Sequence, residues 1–373
     1  MRAVVISRTY INPAVRGKLR SLAGMGCAIA VAVPEHWHQP ISGGEMSATW
    51  GDDAGVRIVP VKVSSIGGRH SSAVWDRSTI RKLLRDFRPD VIQVEEEPWS
   101  QVASVTTRLS SRMRIPSVLF SAESVNRSYV FAQRWRRARS VKRAAGFIGE
   151  NKVAAALLSR GRPEAATTVI PQLGVSIPRM PTPVPHDRFT IGFVGRLVPE
   201  KGLDILLRAV VRLQGHWDLM VVGSGPAQEE LEALAERLGI AARVTWMGAL
   251  PPEELPGIWP RLDCVSLPAR TTRQWVEAHG RAIIEAMGFG LPVVGSASGA
   301  LPEIIGSGGL VVAEDDVPGL TDALQELVNS PARRTTFAQE GRRRVMGEYV
   351  DAAIARKTLA FWNTVSGKFP SPV

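Results

Sequence analysis

The second half of this 373-residue chain contains the residues best suited to chemistry. Two carboxylates, Glu277 and Glu285, stand eight positions apart in the segment WVEAHGRAIIEAMGFG. Glu285 lies among apolar residues of a predicted helix, and a buried carboxylate needs hydrogen-bond donors, which sugar hydroxyls can supply. Glu277 precedes that helix, where unpaired backbone N–H groups would face a ligand. Alternatively, Glu277 caps the helix and Glu285 pairs with an internal arginine, because buried carboxylates are usually paired.

A second pattern lies earlier, in FTIGFVGRLVPEKGLDILLRAV. It predicts a strand that ends at Val194 and Gly195, then a tight loop that carries Arg196 and Lys201 to the start of a helix. Two cations beside a helix N-terminus suit a diphosphate, because the helix adds unpaired N–H groups and a positive dipole. Alone the pattern is weak, since arginine and lysine in loops are usually only solvated.

The elements that would position these residues are short apolar strands that alternate with amphipathic helices. In the first half the predicted strands are AVVIS, AIAVAVP, RIVPVKV, DVIQVE and SVLFSA, and in the second FTIGFVG, DLMVVG, RVTWMG, CVSLP and PVVGS. Near-continuous apolar strands indicate parallel sheets covered on both faces. The proline-rich segment 176–188 separates the halves as a linker would. We therefore expect two doubly wound α/β domains with a cleft between them, residues 1–180 and 181–350.

The charge of the chain restricts its partners. The net charge is +11, but residues 1–180 carry +14 and residues 181–373 carry −3. Such an excess favours nucleic acid, anionic lipid or a phosphorylated substrate. The first half shows no clear recognition helix or stacking motif, so we do not expect nucleic acid.

The location of the protein is also expected from the sequence. No run of 18 uncharged apolar residues predicts a membrane span, and the start MRAVVISRTY predicts a first strand rather than a leader. Two isolated cysteines predict buried thiols in a reducing compartment. We therefore expect a cytoplasmic protein.

Several segments in order resemble the retaining family-four glycosyltransferases. Glu277 and Glu285 match the E-x7-E signature of that family. FVGRLVPEKGLD looks like its phosphate loop, VVGSGP its next glycine turn and VTWMGALP its nucleobase loop. RAIIEAMGFGLPVVGSASGALPEIIG is similar to its donor-site core, and VIPQLGV to the segment that closes its first domain. The resemblance implies the GT-B fold, two Rossmann-like domains facing a central cleft, with the last helix, in 351–373, returning to the first domain.

The resemblance also implies an activity and a set of roles. Family members transfer a sugar from a nucleotide-sugar donor to a hydroxyl acceptor with retention, and the chain lacks the DxD pattern of a phosphate-bound metal, so neither metal nor cofactor is expected. Glu277, Arg196 and Lys201 would be catalytic, the cations neutralising the departing diphosphate and Glu277 holding the transferred sugar. Glu285 would bind the ribose. The other donor-binding residues would be Gly195, Ala278, His279, Gly280, Arg281, Gly248 and Leu250.

The acceptor side departs from the commoner family pattern. The loop after the first strand lacks a glycine pair and offers Asn12 and Arg16 instead, and Glu123 stands near a position often taken by histidine. Glu123 is an acceptor-binding carboxylate or a helix cap. The acidic trio in EEEPWS, residues 95–100, could bind acceptor hydroxyls, although a solvated loop is the favoured interpretation. We expect a lipid-linked or polysaccharide acceptor; a small secondary metabolite or a sugar-nucleotide epimerase are the alternatives.

The densest basic stretch is RSYVFAQRWRRARSVKRAAG, residues 127–146. On a helix, its Val130, Phe131, Trp135, Ala138 and Val141 approximate one apolar stripe among cations. Such a helix could lie on anionic lipid at the inner face of the cytoplasmic membrane, or form a solvated face over the domain core.

Overall fold

The structure is a computed structural model that describes residues 1–38, 44–65, 73–177, 184, 187–251 and 253–367. The chain divides into two compact units, Met1–Gly174 with Asp351–Val373, and Val175–Val350. The boundary precedes the predicted limit at residue 180. Val175 already belongs to the second unit, because its N–H donates to the Tyr349 carbonyl (2.9 Å) and its side chain packs in that unit's core. Most of the predicted linker, 178–183 and 185–186, lies outside the described residues.

The first unit contains an eight-stranded sheet in the order β12-β11-β10-β9-β1-β2-β6-β5. All neighbours pair in parallel except β5 with β6. Its central strands bury nearly every residue, as parallel strands covered on both faces do. The strands of the unit are β1 (Arg2–Ile6), β2 (Ala28–Pro34), β3 (His36–His38), β4 (Glu45–Ser47), β5 (Gly51–Asp53), β6 (Val56–Val61), β7 (Val63–Ser65), β8 (Ala73–Trp75), β9 (Val91–Val94), β10 (Ser117–Ser121), β11 (Gly146–Gly149) and β12 (Ala166–Val169).

Helices cover both faces of this sheet. Their bounds are α1 (Gly17–Gly24), α2 (Arg77–Phe87), α3 (Gln101–Met113), α4 (Phe131–Arg143) and α5 (Lys152–Ser159). Apolar residues of α2, α3 and α4 form one core cluster with strand residues such as Ile6 and Ile92, and α1 contributes to a second cluster with Val5 and Val91. Because neighbouring residues of one strand enter different clusters, the sheet is packed on both sides.

The second unit contains a six-stranded, all-parallel sheet in the order β15-β14-β13-β16-β17-β18. Its strands are β13 (Phe189–Val194), β14 (Trp217–Val222), β15 (Val244–Trp246), β16 (Cys264–Leu267), β17 (Val293–Ser296) and β18 (Gly309–Val312). Its helices are α6 (Leu203–Val210), α7 (Gln228–Arg237), α8 (Arg281–Gly288), α9 (Leu301–Ile305), α10 (Val317–Asn329) and α11 (Pro331–Glu348). In such a sheet, ligands bind outside the carboxyl ends of the strands, the edge that carries the loops after β13 and before α8.

The last helix, α12 (Asp351–Ser366), belongs to the first unit, as the resemblance implies. Its Trp362 is fully buried and donates its indole N–H to Gln93 Oε1 (2.6 Å) on β9. Gly146 on β11 permits close packing of this helix, because a Cβ there would stand 2.7 Å from the Val365 side chain. Among the described residues, none of the helices combines the length and apolar character needed to cross a bilayer.

Candidate donor and acceptor sites

The loop after β13 is held against the next strand by backbone contacts. The N–H of Gly195 donates to the Val222 carbonyl (3.0 Å), and the N–H of Leu197 donates to Ser224 (2.9 Å). Gly223 has φ +139°, and a Cβ at that position would stand 1.8 Å from the Gly195 carbonyl oxygen. Only glycine permits this approach. The glycine turn VVGSGP therefore supports the loop that carries Arg196 and Lys201.

Lys201 and Glu277 meet at the carboxyl edge of the second sheet. The Lys201 ammonium forms an ion pair with Glu277 Oε2, and Lys201 Nζ lies 5.3 Å from the centroid of the Trp275 ring. Glu277 is 4% exposed, and its Oε1 accepts from the N–H of Gly280 (3.0 Å) and of His279 (3.4 Å) at the start of α8. A negative charge there is favoured by the dipole of the helix. The structure thus unites residues that are 76 positions apart in the sequence.

The electrostatic state of Glu277 follows from these contacts. Burial acts to raise the pKa of its carboxyl, but the charge and hydrogen bond of Lys201 and the two backbone N–H groups lower it below its usual value. Glu277 is therefore an anion at neutral pH. An ionised carboxylate can accept hydrogen bonds from sugar hydroxyls and cannot donate one.

The backbone of Glu277 is fixed by the turn at Gly299. Its carbonyl accepts from the Ala300 N–H (2.7 Å), and a Cβ on Gly299, which has φ +54°, would stand 2.2 Å from that carbonyl oxygen. A glycine is therefore required where the chain following β17 crosses Glu277.

Glu285 lies one turn into α8 and pairs with Arg281, whose Nε is 2.7 Å from Glu285 Oε1. The Glu285 side chain is 15% exposed and that of Arg281 is 53% exposed. The structure therefore contains both alternatives: Glu277 accepts from the start of α8, and Glu285 pairs with an arginine. The pairing leaves Glu285 Oε2 available, since the described residues offer no hydrogen-bond donor to that oxygen.

The remaining predicted donor residues occupy the same edge with fewer contacts. Arg196 is exposed, and no carboxylate in the described part of the chain pairs with it. Gly248 accepts a hydrogen bond from the Gly223 N–H (2.8 Å), so the predicted nucleobase loop adjoins the glycine turn, and Leu250 is half-buried against the core. Ala278 is half-buried and His279 is exposed.

Sequence reasoning missed an acidic contact to the segment 270–275. Arg270 bonds to Asp204 (3.0 Å) and to Asp315 (2.9 Å), while Glu314 accepts from the Thr271 N–H (2.8 Å). Glu314 and Asp315 therefore hold this loop in place. The charges of Arg270 and Asp315 were visible in the sequence, but their pairing depends on β16 and β18 lying on the same sheet.

Residues 179–344 match the family described as glycosyl transferases group 1. The matched residues lie within the second unit. The predicted resemblance to group 1 glycosyltransferases is thereby confirmed, and the match contains every donor-site residue discussed above. Groups of three or more His, Cys, Asp or Glu side chains able to hold a metal ion are absent from the described residues.

Two curated relatives illustrate the family. The chain is 36% identical over 163 residues to a GDP-mannose-dependent alpha-(1-6)-phosphatidylinositol monomannoside mannosyltransferase of Mycolicibacterium smegmatis, covering 42% of this chain and 43% of the relative. It is 35% identical over 185 residues to a D-inositol 3-phosphate glycosyltransferase of Corynebacterium jeikeium, covering 46% and 41%. The matches thus span less than half the length of these relatives.

Solved structures share the fold of the whole chain. Sucrose-phosphate synthase from Thermosynechococcus elongatus has a TM-score of 0.72 at 19% identity, covering 99% of this chain and 100% of its own. Anabaena Alr3699/HepE in complex with UDP has a TM-score of 0.70 at 17% identity, covering 98% and 100%. The predicted α/β class, two Rossmann-like domains of the GT-B type, is confirmed.

The first unit places its acceptor candidates in contrasting settings. Asn12 caps a short 3-10 turn by accepting from the Ala14 N–H (2.9 Å). Arg16 is buried, donates to the carbonyls of Tyr10 (2.7 Å) and Ile11 (3.1 Å), and pairs with Asp53 (2.9 Å). Its guanidinium therefore holds the loop that follows β1.

Glu123 is held by two aromatic donors. Trp99 Nε1 donates to Glu123 Oε1 (2.9 Å), and the Tyr129 hydroxyl donates to Oε2. This carboxylate therefore joins the loop after β9 to the segment before α4.

The acidic trio after β9 is not a solvated loop, so the favoured interpretation was wrong. Glu95 forms a fully buried ion pair with Lys18 (2.5 Å), and Glu96 pairs with Arg8 (2.6 Å). Glu97 is partly buried. Arg8 in the loop after β1 and Lys18 of α1 neutralise these carboxylates, which permits their burial. Because both cations are distant in the sequence, no local pattern around EEEPWS predicts these pairs.

A pocket of about 120 Å³ lies at this edge of the first sheet. It combines aromatic faces with charged groups; its principal lining residues are Arg8, Trp37, Trp75, Glu96, Glu97 and Trp99. These residues follow β1, β2 and β9 or precede α2, and the carboxyl ends of these strands meet at one edge. Aromatic faces and carboxylates together suit a sugar or polyol, which presents both C–H groups and hydroxyls.

Glu97 makes the stability of the first unit depend on pH. Burial and then the charge of Glu123 raise the pKa of its carboxyl to about 7, against hydrogen bonds from the Ser121 hydroxyl (2.7 Å) and the Ala122 N–H (3.0 Å). The usual value is 4.5. Between these values the folded protein keeps a proton that the unfolded chain releases, so the free energy of unfolding falls as pH rises.

Glutamine at position 97 resembles the protonated carboxyl, so we expect Glu97→Gln to stabilise the fold more at pH 8 than at pH 5. The free energy of unfolding of the variant minus that of the parent should rise by about 1–2 kcal/mol between pH 5 and pH 8, allowing for partial exposure. Urea unfolding at both pH values measures it, with the exposed Glu164→Gln as control. An equal difference at pH 5 and pH 8 would contradict the assignment.

Proposed function

We propose that the protein transfers a sugar from a nucleotide-sugar donor to a hydroxyl acceptor, with retention and without a metal ion. One observation carries the proposal. In a unit of the glycosyl transferases group 1, the ionised Glu277 is held by Lys201 and by the start of α8 at the carboxyl edge of the sheet.

The reaction uses the charges of this edge. The bond between the anomeric carbon and the diphosphate breaks, a bond from the acceptor oxygen forms on the same face, and the acceptor proton passes to the departing phosphate. Lys201 and Arg196 stabilise the charge that develops on the diphosphate, as preorganised cations do. Glu277 accepts hydrogen bonds from the hydroxyls of the transferred sugar, and Glu285 accepts from the ribose.

We further propose a lipid-linked acceptor. The mycobacterial relative is named for GDP-mannose and for a phosphatidylinositol monomannoside, which makes GDP-mannose the first donor to test. For such an acceptor, we propose that the enzyme works at the cytoplasmic face of an anionic membrane, with segment 127–146 against the bilayer.

Thermal shift with GDP, UDP, ADP and dTDP and with their common sugar conjugates tests donor binding. Product formation is then followed with phosphatidylinositol monomannoside and D-inositol 3-phosphate as acceptors, with and without EDTA. We expect a stabilising nucleotide sugar, an acceptor-dependent product of retained anomeric configuration and no effect of EDTA. Turnover of the nucleotide sugar without any acceptor would favour an epimerase, and an inverted product would refute retention.

The pocket after β9 is where we propose that the acceptor's sugar or inositol ring binds. Trp37 is half-buried there, and the Arg8 guanidinium lies 5.8 Å from its ring centroid. We expect Trp37→Ala to raise the acceptor KM about tenfold, the loss of one aromatic contact, and to leave the donor KM unchanged. Trp50→Ala, at an exposed tryptophan, is the control. An unchanged acceptor KM would place the acceptor elsewhere.

A further inference from the structure

Four arginines from three helices converge on a second, smaller pocket of the first unit. The pocket has a volume of about 100 Å³ and includes Arg77 of α2, Arg108 of α3, and Trp135, Arg139 and Arg143 of α4. Arg77 and Arg108 lie outside the basic segment 127–146, so the cluster could not be recognised from that segment alone.

The cluster lacks counter-charges. Within the described residues, none of the four guanidinium groups forms an ion pair with a carboxylate. The pKa of Arg143 is lowered by partial burial and then by Arg139, Arg108 and Arg112. Like charges held together repel one another, and a bound phosphate relieves that repulsion while accepting paired N–H donors from arginine.

Apolar side chains beside the cluster face outward. Phe131, Trp135, Arg139 and Arg143 are spaced by four residues and therefore follow one side of α4. Phe131 is 84% exposed and Trp135 47%, and the Arg139 guanidinium stacks 3.9 Å from the Trp135 ring centroid. Of the predicted apolar stripe, Val141 alone is buried. The other four residues of the stripe face solvent, where they are available to an external surface.

We propose that this face of α2, α3 and α4 docks on an anionic lipid bilayer, with the arginine pocket taking the phosphate of a lipid headgroup. Phe131 and Trp135 enter the interface, where aromatic rings are favoured, while the arginines remain at headgroup level. Charge complementarity and the exposed aromatic residues on the same helix both support a bilayer as the occupant. This inference deepens the membrane contact proposed above, because it assigns a discrete pocket that includes Arg77 and Arg108 in place of diffuse attraction by the net charge. It does not depend on the transfer reaction.

Co-sedimentation with vesicles tests the proposal using the full chain. Vesicles of phosphatidylcholine alone are compared with vesicles that contain 30% phosphatidylglycerol, at low and at physiological salt. The pocket variant Arg108→Gln, Arg139→Gln, Arg143→Gln removes three charges. The matched control removes three exposed charges elsewhere, Arg212→Gln, Arg237→Gln and Arg356→Gln. Far-UV circular dichroism and thermal unfolding establish that each variant is folded.

We expect the parent and the control variant to pellet with the anionic vesicles, and the pocket variant to lose at least tenfold in affinity. Phe131→Ser, Trp135→Ser should lose the binding that persists at physiological salt. Equal losses in the pocket and control variants would overturn the proposal in favour of diffuse attraction. So would a failure of the parent to bind at low salt, or displacement of the parent from vesicles at physiological salt by a single-stranded RNA.

Discussion

Replacing Lys201 by alanine is expected to lower kcat by about 100- to 1000-fold, the effect of removing one preorganised group that stabilises developing charge. The reason is electrostatic: Lys201 lies against the anionic Glu277 at the carboxyl edge of the sheet, and in the proposed reaction its ammonium also meets the departing diphosphate. Folding should suffer less. The His279 and Gly280 N–H groups still hold Glu277, whose carboxyl can also take up a proton when its pKa rises.

The measurement is kcat at saturating donor and acceptor, together with urea unfolding of the same preparation. Lys82→Ala is the matched control, because it removes a lysine from an exposed ion pair with Asp86. Lys201→Arg should recover part of kcat, since it keeps the charge but not the point geometry of the ammonium. A kcat for Lys201→Ala within tenfold of the parent would refute the role at the diphosphate.

The sequence predicted the strands that are long apolar runs rich in β-branched residues. AVVIS, AIAVAVP and DVIQVE became β1, β2 and β9 because two-sided burial demands apolar runs, and such runs are visible without an alignment. The strands β11 and β12, GFIG and ATTV, were not predicted. Two glycines in β11 lower its strand propensity, but Gly149 is needed there because a Cβ would stand 2.2 Å from the Ala155 backbone of α5. The glycine in this strand is therefore explained by the packing of α5, which follows β11 in the chain.

The donor residues were identified by motif, whereas their contacts were not. That Lys201 would pair with Glu277 could not be read locally, because the pairing requires β13 and β16 to be neighbours. The burial of Glu95 by Lys18 depends in the same way on β1 and β9. Periodicity predicts which residues a strand buries; it does not indicate which distant charge will meet a residue at the end of the strand.

Replacing Glu277 by glutamine is expected to lower kcat by at least 100-fold while the protein stays folded. Glutamine keeps the shape but presents an NH2 group either to the Lys201 ammonium or to the N–H groups of His279 and Gly280, and all of these are donors. The transferred sugar also loses an ionised acceptor, and hydrogen bonds to charged groups are the stronger ones.

The stability of this variant should depend on pH with a definite sign. The pKa of Glu277 is lowered in the folded state, so its charge stabilises the protein above the usual carboxyl pKa, and this contribution is lost as pH falls through the folded value. The difference in unfolding free energy between the parent and Glu277→Gln should therefore be largest near pH 7 and shrink below pH 4.5. Urea unfolding across this range measures it, with the exposed Glu236→Gln as control.

Together the two measurements separate the two roles that the sequence left open for Glu277. A residue that only caps α8 would lose stability on substitution, but the folded fraction would keep its kcat. A residue that also holds the sugar loses kcat per folded molecule, even at a pH where the stability difference has become small. Because the carboxylate accepts from the start of α8 through Oε1 and meets Lys201 through Oε2, we expect both losses, with the loss in kcat the larger. A parental kcat in folded Glu277→Gln would leave only the cap.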